Sequence, residues 1–226
     1  MTRNYPLLLV LCFLTLEIVL INFVDLPLSE FLRNVDQQHP DYIDIFRAYT
    51  DIGKSKYYLI ISGISILLCA CAVRMPSIQK ELRIKMGHVG KVLSFFFACV
   101  AVSGIVADII KPILGRARPV TFVREGIYGF HPFTFHAAWN SMPSGHATTA
   151  FTIATILTFF RPRHQVLWFV GAAIIAVSRV MVNAHYLSDI FAGAAVGILT
   201  VLLIRRLVNH NVINHMSCVI FPIDSR

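Results

Sequence analysis

Six apolar runs of roughly membrane-spanning length alternate with short polar connections along the 226-residue chain. They cover about residues 6–24, 57–73, 92–110, 145–160, 166–182 and 186–204. In hydrocarbon, backbone N–H and C=O groups must be satisfied within the segment, so each run is expected to be a helix. The fold class expected is all-α, a polytopic membrane bundle of six transmembrane helices. Only 14% of the residues are charged, against about 25% in soluble domains, and 56% are hydrophobic, which points the same way. The net charge of +8 does not indicate nucleic acid, because Lys and Arg are scattered between apolar runs instead of massed on one face with aromatics. Residues 1–226 read as a single membrane-embedded domain without internal repeats.

Six spans put both ends of the chain on one side. The segment Arg74–Lys91, expected as a basic loop holding Lys80, Arg83 and Lys85, falls on that side. So do the Arg161–Arg163 turn and the Arg205–Arg206 end, which makes that side cytoplasmic. The opposite side receives Asp25–Lys56, expected as short amphipathic helices lying at the surface, with Ile45–Tyr49 half-buried at the interface. It also receives the connection 112–143 and the turn Ser178–Asp189. The first run is read as an uncleaved span carrying Glu17, since no small-x-small cleavage site comes after it. The cysteines, Cys12, Cys69, Cys71, Cys99 and Cys218, have neither disulfide-framework nor zinc-finger spacing and read as packing residues.

Three polar clusters converge on the non-cytoplasmic side. The turn Ser178–Asp189 places Arg179, His185 and Asp189 at the ends of apolar segments, where ionisable groups are costly and usually line an enclosed cavity. His185 and Asp189 are four apart, which on a helix stacks them on one face, and a carboxylate holding one ring nitrogen makes an imidazole a dependable base or nucleophile. An Arg179–Asp189 structural pair is the competing reading. The segment Lys111–Pro119 offers an ammonium and, seven residues on, the guanidinium of Arg118, a combination suited to a phosphoryl group. Taken alone, both residues also fit snorkelling at the interface. Pro143-Ser144-Gly145-His146 opens a span with a hydroxyl, a close-approach glycine and free helix N–H groups, or equally with an ordinary serine cap.

The order Lys-x6-Arg-Pro, Pro-Ser-Gly-His, then Ser-Arg-x5-His-x3-Asp resembles the tripartite signature of the type 2 phosphatidic acid phosphatase superfamily. Lys111, Arg118 and Pro119, Pro143 to His146, and Ser178, Arg179, His185 and Asp189 match every signature position. The resemblance implies an acid phosphatase/vanadium haloperoxidase-like helical core and phosphate-ester hydrolysis without a metal or other cofactor. Together with the residue chemistry it implies catalytic roles for His185 as nucleophile, Asp189 as its orienting carboxylate and His146 as general acid and base. Lys111, Arg118, Ser144, Gly145 and Arg179 would bind phosphate. Asp108 shares a helix face with Lys111 and is a candidate to aim it. Arg116 and Arg124 are candidates for head-group contact. His131 and His136 with His146 fit no metal-ligand spacing, so no metal is expected.

These features together predict an integral-membrane lipid phosphatase of a bacterial inner membrane, its site facing the periplasm. The partners expected are the bilayer and a lipid mono- or diphosphate of the undecaprenyl diphosphate, phosphatidylglycerophosphate, phosphatidate or lipid A type. A lipid phosphotransferase, working through the same phosphohistidine intermediate at His185 that the resemblance implies for the phosphatase, stands beside it, and from another class an anion transporter or channel. The aromatic stretch Phe122–Trp139 reads either as a lid where a lipid chain meets its head group or as simple packing over the bundle.

Overall fold

The computed structural model describes residues 5–208, with the side chains of Tyr42, Ala48 and Tyr49 left aside. Cys218 lies outside the described residues. Nine α-helices succeed one another among them: α1 (Tyr5–Val19), α2 (Asp25–Gln38), α3 (Pro40–Thr50), α4 (Ser55–Arg74), α5 (Lys80–Leu114), α6 (Pro119–Glu125), α7 (Gly145–Phe160), α8 (Gln165–Met181) and α9 (Leu187–Leu207). Five helical stretches are long and apolar enough to cross a membrane, and α7 is a shorter apolar helix beside them. The chain is an all-α integral membrane protein.

Helix α7 lies at the centre, packed against α5, α8 and α9. Glycine lets α9 come so close: a Cβ on Gly193 would stand 2.5 Å from the Ser144 carbonyl oxygen, and one on Gly197 2.5 Å from that of Thr148. Gly193 and Gly197 lie one turn apart, the small-residue spacing that brings membrane helices into backbone contact. Thr148, Thr152, Thr155 and Thr158 each turn their hydroxyl to the carbonyl four residues back, which hides a donor from the apolar surroundings. Thr152 Oγ1 also lies 3.0 Å from Ser103 Oγ on α5. Below this polar seam Phe95, Cys99, Ile156 and Val201 close the core between α5, α7 and α9.

Two expectations about connections fail. The Arg74–Lys91 segment is a loop only over its first few residues, because α5 starts at Lys80 and runs unbroken for 35 residues. At 1.5 Å per residue that is about 50 Å, more than the ~30 Å hydrocarbon core, so the basic first turns continue the helix past the apolar span. Lys, Arg, Glu and Met are good helix formers, and after Pro76 nothing here breaks the pattern. Nor is Asp25–Gln38 a separate surface helix. A π-helical turn, Leu20–Val24, joins α1 to α2 in one continuous stretch, Tyr5–Gln38. Asp25, Ser29 and Leu32 face inward from it.

Candidate active site

Helix α5 ends at Gly115, whose left-handed backbone (φ 59°) caps it, its N–H donating to the Lys111 carbonyl. The left-handed conformation suits glycine, and a Cβ here would also overlap the His131 carbonyl. The chain therefore turns sharply between Lys111 and Arg118. Lys111 reaches back to Asp108 at 2.6 Å, as their shared face predicts. Arg118 is pinned from the other side, Nε donating to the Ala137 carbonyl and an Nη to that of Asn140. Burial lowers its pKa from the usual guanidinium range, against the pull of Asp189.

Ser144 is the N-cap residue of α7, yet its side chain does not cap; Oγ is buried without a protein partner. The Ser144 N–H instead donates to the Asp189 carbonyl, tying the start of α7 to the start of α9. His146 comes one residue inside the helix, with Nε2 buried and likewise unpartnered. Lys111, Gly145 and His146 line one cleft of about 250 Å³, joined there by Lys54 and Lys56.

His185 does not stack on Asp189 along one helix as the spacing predicts. It lies in the turn before α9, with its Nδ1 3.5 Å from Asp189 Oδ2, a long approach for a hydrogen bond. Asp189 sits at the third position of α9 and accepts the Tyr186 N–H at 2.9 Å, which fixes the turn from which His185 projects. Burial pushes the His185 ring below the ordinary histidine range; Asp189 pulls it up, while Arg118 and Arg179 add to the lowering.

The Arg179–Asp189 pair does not form. Arg179 donates to Thr50 Oγ1 at 2.5 Å, and the cation on Asp189 is Arg116. Arg116, a candidate for head-group contact by sequence, is instead 1% exposed, one of the most buried large side chains. Its guanidinium forks between Asp189 Oδ1 at 2.5 Å and Asp25 Oδ2 at 2.6 Å. Ser188 Oγ accepts from it, and the Tyr186 ring lies 4.5 Å from its centre. Two neighbouring carboxylates raise its pKa against the opposing effect of burial. Asp25 also accepts the Ser188 N–H and hydroxyl, so the first helical stretch is tied into the support of Asp189. Ser141 Oγ completes the carboxylate's shell at 2.5 Å.

Several residues in or beside the site carry no motif signal. Gly53 faces His146 so closely that a Cβ would come within 2.6 Å of the ring. Asn183 fixes the turn before His185 by exchanging hydrogen bonds with Ser29. Ser178, a signature position, only back-bonds to the Ile175 carbonyl. Arg124 has no described role in the cluster. His131 stacks near Trp139, and His136 accepts from the Ala138 N–H, so neither joins His146. Of the aromatic loop, Tyr128 turns inward against Tyr186, while Phe133 and Phe135 stand 75% and 83% exposed.

Comparison with known proteins matches this arrangement of motifs to one family. The chain is 42% identical over 152 residues to a lipid A 1-phosphatase of Rhizobium etli, covering 66% of this chain and 63% of that relative. It is 43% identical over 112 residues to a lipid A 1-phosphatase of Rhizobium johnstonii, covering 49% and 45%. The chain thus spans less than two thirds of the length of either. In fold it is similar to a transmembrane PAP2-type phosphatidylglycerolphosphate phosphatase of Bacillus subtilis, with TM-score 0.59 and 19% identity over 91% of this chain and 96% of that one. A family model described as PAP2 superfamily matches residues 91–213, more than half of the sequence, and the chain belongs to the PAP2 superfamily.

Proposed function

We propose that this protein is an integral-membrane lipid phosphatase that removes a terminal phosphate from a lipid mono- or diphosphate through a phosphohistidine at His185. One observation carries the reading: the buried His185 imidazole stands with Nδ1 3.5 Å from Asp189 Oδ2, in a turn fixed by the Tyr186 N–H donating to that same carboxylate. The names of the Rhizobium relatives support a glycolipid phosphate of the lipid A type as first candidate.

In this mechanism the neutral Nε2 of His185 attacks phosphorus. The P–N bond forms as the P–O bond to the lipid breaks, and the Nδ1–H turns to Asp189 as positive charge develops on the ring. Arg116, Ser141 and the Tyr186 N–H hold the carboxylate in place from its other sides. His146 gives its proton to the leaving oxygen. It then takes one from the water that displaces His185 from phosphorus, so phosphate is released and both rings return to their starting states. Lys111, Arg118 and Arg179, with the Ser144 hydroxyl and the Gly145 N–H, stabilise the phosphoryl oxygens. Positioning and charge stabilisation are most of what phosphoryl transfer needs. No step draws on a metal or cofactor.

Residues 1–226 act in this reading as one domain, since Asp25 and Gly53 contribute from outside the family-matched part. The site opens on the periplasmic face of a bacterial inner membrane. The test is a panel of phosphatidate, phosphatidylglycerophosphate, undecaprenyl diphosphate and lipid A, assayed for free phosphate with purified protein in detergent plus chelator. Release by the natural protein and its loss in His185→Ala, by a factor on the order of 10⁴ or more, is expected. Full activity in His185→Ala would sink the mechanism, and phosphate appearing on an acceptor lipid in place of solution would make the protein a phosphotransferase.

A further inference from the structure

Two clefts meet on one flank of α7. The first is the cleft of about 250 Å³ lined by Lys111, Gly145 and His146. The second, about 330 Å³, is apolar, walled by Ile52, Tyr58, Ile153, Leu157, Trp168 and Ile175. Thr149 lines both, and Ile52 of the second directly precedes Gly53 of the first. The Tyr58 hydroxyl donates to the Ile52 carbonyl at 2.7 Å and fixes α4 at the junction.

The wall of the second cleft has helical periodicity. On α7 it is made at Thr149, Ile153 and Leu157, and on α8 at Trp168, Ala172 and Ile175, the faces the two helices turn to each other. From Thr149 to Leu157 the groove runs about 12 Å along α7. It starts beside His146 and ends near Trp168, whose indole N–H donates to the Arg161 carbonyl at the far end of the helix. A chain entering it from the phosphate site therefore descends into the hydrocarbon layer. A larger apolar fissure of about 720 Å³ between α4, α5 and α9 contains none of the site residues.

We propose that the α7–α8 groove holds the first part of one hydrocarbon chain, acyl or prenyl, of the lipid whose phosphate occupies the cleft. The proposal rests on the phosphatase reading and adds the place where the substrate's tail is recognised. Continuity with the cleft that holds Lys111 and His146 supports a substrate chain over a bystander lipid. Binding energy gathered there, remote from phosphorus, would hold the ester in register with His185 and would show as a lower KM for lipid than for a soluble ester.

Gly171 supplies the test. It lines the groove, and a Cβ added there meets nothing within 4 Å, so a larger side chain starts from open space at the groove wall. Gly171→Leu is compared with the natural protein on a long-chain lipid phosphate in mixed micelles and on a short, water-soluble phosphate monoester. The expected result is a rise of about tenfold in KM for the long-chain substrate, with kcat/KM for the soluble ester within about twofold. Equal effects on both substrates, or none on either, would overturn the groove. If the natural protein cleaves neither, the phosphatase reading itself fails. A photoreactive chain carried on the lipid and crosslinked to the natural protein gives an independent check. Labelling of Ile153, Leu157 or Trp168 is expected, and labelling confined to α5 and α9 would overturn the proposal.

Discussion

At Asp189 one carboxylate is shared by Arg116, Ser141, the Tyr186 N–H and, at longer range, His185. Burial holds the His185 pKa below histidine's ordinary value of about 6.5, while Asp189 pulls it upward. In the proposed mechanism the attacking form is the neutral ring, and a lowered pKa keeps that form present to lower pH. The acidic limb of kcat/KM belonging to His185 should therefore lie below about 6.5. Asp189→Asn removes the upward pull, so in that variant the limb should move further to acid; a pH series under single-turnover conditions reads both. A wild-type limb above that value would mean the carboxylate outweighs burial. Arg116 belongs to the same network. Arg116→Ala leaves Asp25 and Asp189 buried without their cation and should cost about 3–5 kcal/mol of stability, read as a lowered unfolding midpoint in detergent. Arg116→Lys should fall between, because one ammonium cannot reproduce a fork reaching two carboxylates. The motif residues are legible from spacing alone, but this pairing is not. Asp25 and Arg116 are 91 positions apart, and a second Arg two residues before a signature Arg looks like one more surface cation.

Among the elements, the apolar runs announce the helices, since hydropathy records the solvent each segment must meet. Their continuity is less legible. Polar residues at Asp25 suggest an exit from the membrane, whereas the helix carries on and buries them against charges from distant parts of the chain. The short stretch between α3 and α4 shows the limit most clearly: nothing in Thr50-Asp51-Ile52-Gly53 marks it, yet Thr50 holds Arg179 and Gly53 abuts His146. Gly53→Ala would drive a methyl group into the imidazole, with Ile175 on the other side only 3.0 Å away. His146 must then shift by a substantial fraction of an ångström. Turnover should fall by about 10²-fold, the usual cost of a comparable misplacement, while the unfolding midpoint changes little. Unchanged turnover would show that the proton-transfer step tolerates another ring position.

For the molecule as a whole, a single active face requires a fixed sidedness. Lys54 and Lys56 at the cleft should lie on one side of the membrane, and Lys80 and Arg83 at the start of α5 on the other. In a cysteine-free background, Lys56→Cys should react with a membrane-impermeant thiol reagent added to intact cells, and Arg83→Cys only after the membrane is opened. The reverse pattern would invert the topology. Hydropathy carries the apolar helices and their alternation, but the joining of the first helical stretch to Asp189 is visible only in three dimensions.

The π-helical turn at Leu20–Val24 gives that first stretch a rotational phase. A π turn takes in one more residue than an α turn, and each residue rotates the remainder of the helix by about 100°. Upstream of the turn Glu17 faces inward, and downstream Asp25 does. Wound as a regular α-helix, the same residues would turn Asp25 about 80° away from the face of Glu17, whereas the extra residue of the π turn leaves the two within about 20° of each other. The turn thus decides which way Asp25 faces, and with it the support of a carboxylate at the far end of the sequence.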